Sequence, residues 1–306
     1  MESYYVWDGC ALESKESLRF EVPGGYLDCV RYPNADAPQV LGLHGFADTC
    51  ETFQFILPAF DKFELFCPSM RGHGDSSRIE QGYYSAGLYF GDLIQFAGSL
   101  RKPYVLMGHS MGAAIAARFA GLYPDEISAL VLMEGFSGIA PAEEEIRRLK
   151  SWGDALRRKR PDRVRVMKSL HEAELILKTV HQTLPPERIS LLAKSLARET
   201  PEGFVWRQDV DVKNGGIPIP FSPQFSRALW ARVKCPVLFI YGESSHLLPG
   251  NRENGAGSLD EILGHFSQLE KHSLPCGHNP HHELPEQVIE ILREFFAKHK
   301  LGKGQV

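Results

Sequence analysis

Apolar residues along this chain fall into short continuous runs separated by longer amphipathic stretches, and the two alternate from Val40 onward. Val40–Leu43, Phe63–Cys67, Pro103–Met107, Ala129–Met133 and Pro236–Tyr241 are apolar enough throughout to predict strands buried on both faces, with Gln268–Ser273 as a last strand. Between them, Leu88, Leu93, Ile94, Phe96 and Leu100 give Ser85–Leu100 a helical period. Met111–Leu122 and Leu259–Gly264 also read as helices, and Val288, Ile289, Ile291, Leu292, Phe295 and Phe296 line one side of a helix over Pro285–Lys298. Strand–helix alternation of this kind predicts an α/β protein with a mostly parallel sheet covered on both faces. Residues 18–32 are expected to add one or two antiparallel strands at the edge, and Leu301–Val306 to fray.

The rhythm changes between Phe136 and Arg232. Helical stretches over Glu143–Lys150, Asp154–Val166, Leu175–Val180 and Ile189–Leu196 follow one another with no strand run. A helical insertion between two strands of a parallel sheet predicts a cap over their carboxyl ends. The expected division is a core of residues 1–136 and 233–306 with a cap of residues 137–232. The run Arg157-Arg158-Lys159-Arg160 reads as a solvated helix face, and Asn251–Gly257 as a surface loop.

The most informative segment joins the predicted strand ending at Met107 to the helix beginning at Met111: Gly108-His109-Ser110-Met111-Gly112, a G-x-S-x-G. Five residues of that pattern arise by chance, but strand before and helix after make it a nucleophile elbow. In such a turn the serine is held in a strained conformation with its hydroxyl pushed outward, and glycines at 108 and 112 let the two backbones approach.

Composition narrows the classes. The chain has 306 residues, 43% apolar and 24% charged, with a formal net charge of −4, which argues against nucleic acid as a partner. No apolar run is long enough to span a bilayer. The first residues have neither a basic start nor an apolar core, so no signal peptide is expected. Cys10, Cys29, Cys50, Cys67, Cys235 and Cys276 are scattered without a C-x-x-C pair, as expected of reduced, mostly buried thiols in a cytoplasmic protein.

With these landmarks the chain resembles the α/β-hydrolase family over Val40–Lys298. They are His44-Gly45 after one strand, Arg71-Gly72-His73-Gly74 with Ser76 after the next, the elbow, the turn Cys235–Glu243, and Gly277–Glu286 late in the chain. Leu130–Gly135 and Gly203–Asp209 are similar to the capped branch of serine hydrolase-like proteins. The resemblance implies an α/β-hydrolase fold with an eight-stranded sheet, a Ser110 nucleophile, and a His278 base in the Gly-His turn after the last strand. An aspartate at the elbow would imply epoxide or haloalkane hydrolysis instead. The acid is where this chain departs from the pattern, because Gly242-Glu243-Ser244-Ser245-His246 puts serine where relatives carry aspartate. Glu134, directly after the preceding strand, is the preferred acid, and it fits the fold's order of serine, acid, histidine. Glu243 and the absence of any working acid remain as alternatives. Phe46 and Met111 are expected to supply the oxyanion-hole N–H groups. His44, His109, Trp206 and Phe136 are expected to line the substrate pocket, with His44 also buttressing its loop, and the Arg71–Gly74 turn is expected to be structural.

His278, His281, His282 and Glu283 match no recognised metal-ligand spacing, so no metal and no cofactor is expected. The favoured function is a serine hydrolase of a small carboxylic ester or related acyl substrate. One alternative is carbon–carbon bond hydrolysis of a diketone by the same residues. Another is a non-catalytic ligand-binding or signalling protein on a hydrolase scaffold, supported by Ser245 standing at the acid position. The oligomeric state and the natural substrate are not legible.

Overall fold

Each central strand alternates its side chains between two apolar layers, which is the period of two expected of a sheet covered on both faces. In the computed structural model, which describes residues 14–80, 83–135, 142–157, 164–215, 223–248 and 259–304, the core strands are β3 (Gln39–Leu43), β4 (Glu64–Pro68), β5 (Tyr104–His109), β6 (Ile127–Met133), β9 (Val237–Gly242) and β10 (Leu269–Leu274). Tyr104 and Leu106 of β5, Leu130 and Leu132 of β6, and Val237 and Phe239 of β9 join one layer. That layer takes in α1 (Ala86–Ala97) and α2 (Met111–Leu122). Val105, Met107, Val131, Met133, Leu238 and Ile240 join the other, with a 3₁₀ helix (Thr52–Phe60) and α10 (Pro285–Lys298).

With β1 (Glu16–Val22) and β2 (Gly25–Tyr32) added, the sheet has eight strands in the order β1-β2-β4-β3-β5-β6-β9-β10. Neighbours from β4 to β10 are parallel. β1 and β2 form the expected antiparallel edge. The chain places β4 on one side of β3 and then crosses to β5 on the other, so the loops leaving β3 and β5 diverge at a topological switch point. Small residues let α2 lie close on the sheet there: Ala113, Ala116, Ala117 and Ala120 are all buried. Ser85 caps α1, its hydroxyl accepting from the Leu88 N–H at 3.1 Å.

The segment between β6 and β9 carries α3 (Ala142–Arg157), α4 (Leu170–Val180), α5 (Pro186–Leu196), α6 (Val210–Gly215) and α7 (Pro223–Trp230). Contrary to expectation it also contains strands. β7 (Ala197–Thr200) and β8 (Gly203–Trp206) form an antiparallel hairpin, and four residues per strand are too few to establish a period. Met167, Ala173, Leu177, Leu184, Ile189, Leu192 and Ala193 make a separate apolar cluster that includes Phe55 of the 3₁₀ helix. Polar bonds from this segment reach the loops at the carboxyl ends of the sheet, among them Asp209 to the Tyr84 hydroxyl at 2.7 Å and Arg188 to the Glu283 carbonyl at 3.0 Å.

Two further expectations change. α3 runs unbroken through Lys150 to Arg157, and Val164–Val166 is not helical. The tail is held at Leu301, whose N–H donates to the Phe296 carbonyl, and at Lys303, which bonds Lys62 and Ala35. Residues 158–160 of the basic run, Asn251–Gly257, Cys10 and Phe136 lie outside the described residues. The last helix matches the expected range. Among the described residues there are also two short helices, α8 (Leu259–Leu263) and α9 (Pro280–Glu283).

Candidate active site

Ser110 stands between β5 and α2 with φ +51° and ψ −112°, a strained conformation for a residue with a side chain. The turn is tolerated because its flanks are glycine. A Cβ on Gly112 would come within 2.2 Å of the Leu43 carbonyl oxygen, and one on Gly108 within 2.5 Å of the Gly112 backbone. The Ser110 N–H donates to Met133 O at 2.9 Å, which ties the turn to the end of β6.

The next residue after β6 is Glu134, also at positive φ (+62°) and fully buried. Its carboxylate is held at three points. Oε1 accepts from the Gly242 N–H at 2.8 Å, and Oε2 accepts from the Ser245 hydroxyl at 2.7 Å. His278 Nδ1 lies 3.2 Å from the same Oε2. On the far side of the ring, His278 Nε2 lies 2.9 Å from Ser110 Oγ. Since the buried carboxylate can only accept when ionised, Nδ1 carries the hydrogen and Nε2 is left with a lone pair facing the serine hydroxyl. Glu243 points elsewhere, accepting from the Ser273 hydroxyl at 3.0 Å on the exposed side.

The two expected oxyanion positions flank the serine. Met111 opens α2, where a backbone N–H has no intrahelical acceptor. Phe46 follows Gly45, whose α-carbon abuts the elbow: a Cβ there would stand 3.4 Å from the Ser110 Cβ. The Phe46 ring is half exposed, edge-on to His73.

The pocket expectations fare differently. His44 is completely buried behind the site; its Nε2 accepts from the Met70 N–H at 2.8 Å, and its Nδ1 lies 2.7 Å from the Gly45 carbonyl. It fastens the loop after β3 to that after β4 and does not line a pocket. Burial holds it neutral, with a pKa lowered to about 3. His109 is also buried, beneath the elbow, because the residue before the serine still has the pleat of β5. Trp206 is partly buried and packs against the apolar cluster of the insertion.

Several residues that hold the site gave no signal from spacing. Ser245 occupies the position where the resemblance implies an aspartate, and its hydroxyl donates to Glu134 from there. Glu283 accepts from the N–H groups of Gly277 and Asn279 at 3.0 and 3.2 Å, bracketing His278. Thr52 places its hydroxyl 2.9 Å from His281 Nε2 and 3.2 Å from His282 Nε2, and bonds Asp48. His281 and His282 are therefore buried polar supports in α9. Burial raises the Asp48 pKa to about 6 and lowers that of His282 to about 3. Arg71 is structural, bonding Asp92 of α1 and the carbonyls of Pro23 and Gly24.

The fold agrees with what known proteins show. A family model described as the alpha/beta hydrolase fold matches residues 38–285, and the chain belongs to that family. A serine hydrolase-like protein of Danio rerio is 28% identical over 294 residues, covering 91% of this chain and 87% of the relative. A monoacylglycerol lipase of Xenopus laevis is 32% identical over 122 residues, 38% of this chain and 36% of its own. Among solved structures, a thioesterase domain from the curacin biosynthetic pathway superposes with a TM-score of 0.79 at 23% identity, covering 92% of this chain and 99% of that one. Family and relatives together support hydrolase activity. No helix among the described residues is long and apolar enough to cross a membrane.

Proposed function

We propose that this chain is a cofactor-independent serine hydrolase that cleaves a small carboxylic ester or related acyl compound through an acyl-enzyme on Ser110. One observation carries the reading: the unbroken line from Ser110 Oγ to His278 Nε2 (2.9 Å) and from His278 Nδ1 to Glu134 Oε2 (3.2 Å). A serine hydroxyl is a weak nucleophile at neutral pH and needs an adjacent base. His278 Nε2 takes the Ser110 proton as Oγ attacks the acyl carbon, and then gives it to the departing alcohol. Water, deprotonated by the same nitrogen, releases the acid and restores the serine. Glu134 keeps the proton on Nδ1 and stabilises the imidazolium. The Phe46 and Met111 N–H groups receive the oxyanion of each tetrahedral intermediate.

In this reading the insertion of residues 137–232 is a cap that encloses the acyl group, and the five cysteines among the described residues, all buried and free, fit a reducing, cytoplasmic setting. The test is fluorophosphonate labelling with turnover of p-nitrophenyl esters of graded chain length. Wild type is expected to label and turn over, and Ser110→Ala to do neither. A wild type that neither labels nor turns over any ester refutes the proposal.

A further inference from the structure

His109 stands next to the candidate nucleophile, yet its ring points away from solvent and is 3% exposed. Its Nε2 lies 2.9 Å from the backbone carbonyl oxygen of His278, a residue 169 positions away in sequence. A carbonyl only accepts, so Nε2 carries the hydrogen and Nδ1 is bare. Among the described residues that Nδ1 has no hydrogen-bond partner, and it faces Gly45, where a Cβ would approach within 2.7 Å. Burial and the neighbouring imidazoles hold the His109 pKa well below its usual value, which leaves a neutral ring with a single donor. The ring is wedged by His281, 4.4 Å away between centroids, and His281 is in turn anchored on Thr52.

We infer that His109 is a positioning residue: by holding the His278 carbonyl from the position directly before Ser110, it fixes the separation of Ser110 Oγ and His278 Nε2. The inference rests on the roles proposed above for those two residues. The turns that carry them come from distant parts of the chain, and the Ser110–His278 hydrogen bond is only as well aligned as those turns are. Glu283 shapes the histidine turn from within, and Glu134 orients the ring. The His109 bond is the link that runs from the serine's own turn to the histidine's main chain. A misplacement of about 1 Å between reacting groups costs on the order of 100-fold in rate, so a backbone clamp at this point is worth a measurable part of kcat.

The test compares His109→Gln, His109→Asn and His109→Leu with wild type and Ser110→Ala. Glutamine carries an amide N–H as many bonds from Cβ as the imidazole Nε2, and asparagine falls one bond short. His109→Gln is expected to keep kcat within about fivefold of wild type. His109→Asn and His109→Leu are expected to lose about 30–100-fold in kcat with KM changed less than about threefold, and fluorophosphonate labelling slowed in parallel. A purely structural role would lower Tm in all three without making glutamine better than asparagine. If the leucine variant does not fold, the two amides decide. Wild-type kcat in His109→Asn, or equal losses in His109→Gln and His109→Asn, overturns the inference. So does about one equivalent of transition metal in the purified protein, because ligand atoms of Asp48, His109 and His281 lie within 4.8 Å of one another. Residual activity in Ser110→Ala would instead refute the proposed function, so the two failures are distinguishable.

Discussion

Replacing Glu134 by glutamine keeps the shape of the side chain and exchanges one acceptor oxygen for an NH₂ donor. The carboxylate serves three donors: Gly242 N–H on Oε1, and the Ser245 hydroxyl and His278 Nδ1–H on Oε2. The amide has two orientations. With its oxygen toward Gly242, the NH₂ faces Ser245 and His278. The Ser245 hydroxyl can turn and accept, but His278 can accept only by moving its proton to Nε2. That puts a hydrogen on the nitrogen that must take one from Ser110. With the amide flipped, NH₂ meets the Gly242 N–H and a buried backbone donor goes unsatisfied, at a cost of about 1–3 kcal/mol. The first orientation is the more stable one, so the fold survives while the tautomer is wrong.

The carboxylate-to-amide change in the histidine-orienting position of a serine protease lowers kcat about 10⁴-fold, close to 5.5 kcal/mol in barrier. Glu134→Gln is expected to lose about 10³–10⁴ in kcat on p-nitrophenyl esters, with KM little changed and Tm within a few degrees of wild type. Glu243→Gln, which alters a carboxylate bonded only to the Ser273 hydroxyl among the hydrogen bonds described above, is expected to remain within about twofold. Activity in Glu134→Gln within tenfold of wild type would refute the assignment of the acid. A large loss in Glu243→Gln would transfer it to that residue.

Ser245→Ala removes a donor from the buried carboxylate; a stability loss of about 1–3 kcal/mol by urea denaturation and a kcat lowered about tenfold are expected, and unchanged values in both would count against a supporting role. Gly112→Ala puts a Cβ 2.2 Å from the Leu43 carbonyl oxygen, so the variant should be insoluble or lack fluorophosphonate labelling, and a soluble, labelled variant would contradict the close packing of the elbow. Stability should fall in mild acid: burial lowers the pKa values of His44, His73 and His282 from 6.5 to about 3, 4 and 3, so the unfolded chain binds protons below pH 6.5 that the fold refuses. From about pH 7.5 to pH 5.5 that is about 1.4 kcal/mol for each ring and about 4 kcal/mol for the three. Asp48, raised from 3.8 to about 6, works in the opposite direction and returns less than about 1 kcal/mol over the same window, so a denaturation midpoint that does not fall would show these rings to be hydrated.

Legibility in the sequence followed how local the cause was. The central strands and α2 were readable because a run such as Val105-Leu106-Met107 is apolar on both faces and because glycine, serine and glycine at fixed offsets permit one kind of turn. β7 and β8 were not, since a four-residue strand carries no period and this hairpin is held by a bridge between Met167 and Phe204 from outside it. His109 was expected in the pocket because it adjoins the serine. Its burial follows from the alternation of β5, which carries side chains of successive residues to opposite faces. Thr52 was invisible for another reason: its partner His281 lies 229 positions away; Ser245 was legible only as a departure from the family's pattern, because the Glu134 it bonds lies 111 positions away and no local pattern encodes such a contact.

The position proposed for the acid follows from the same geometry. β6 and β9 are parallel neighbours in register, Met133 opposite Ile240, so the turns that leave them open side by side toward His278. The Glu134 N–H donates to Ile240 O at 2.9 Å, and its carboxylate reaches across to the Gly242 N–H. A carboxylate on either turn therefore approaches His278 Nδ1 from the same side, and the tautomer it imposes is the same. What must be conserved is the local charge balance. A second carboxylate at 245 would place two anions against one imidazole, whereas an apolar residue there would leave the buried Glu134 with one donor fewer. A hydroxyl meets both conditions: it adds no charge and donates to Oε2 at 2.7 Å. Serine at 245 is thus the residue expected opposite an acid at 134, and it supports a working site on this scaffold instead of a lost one.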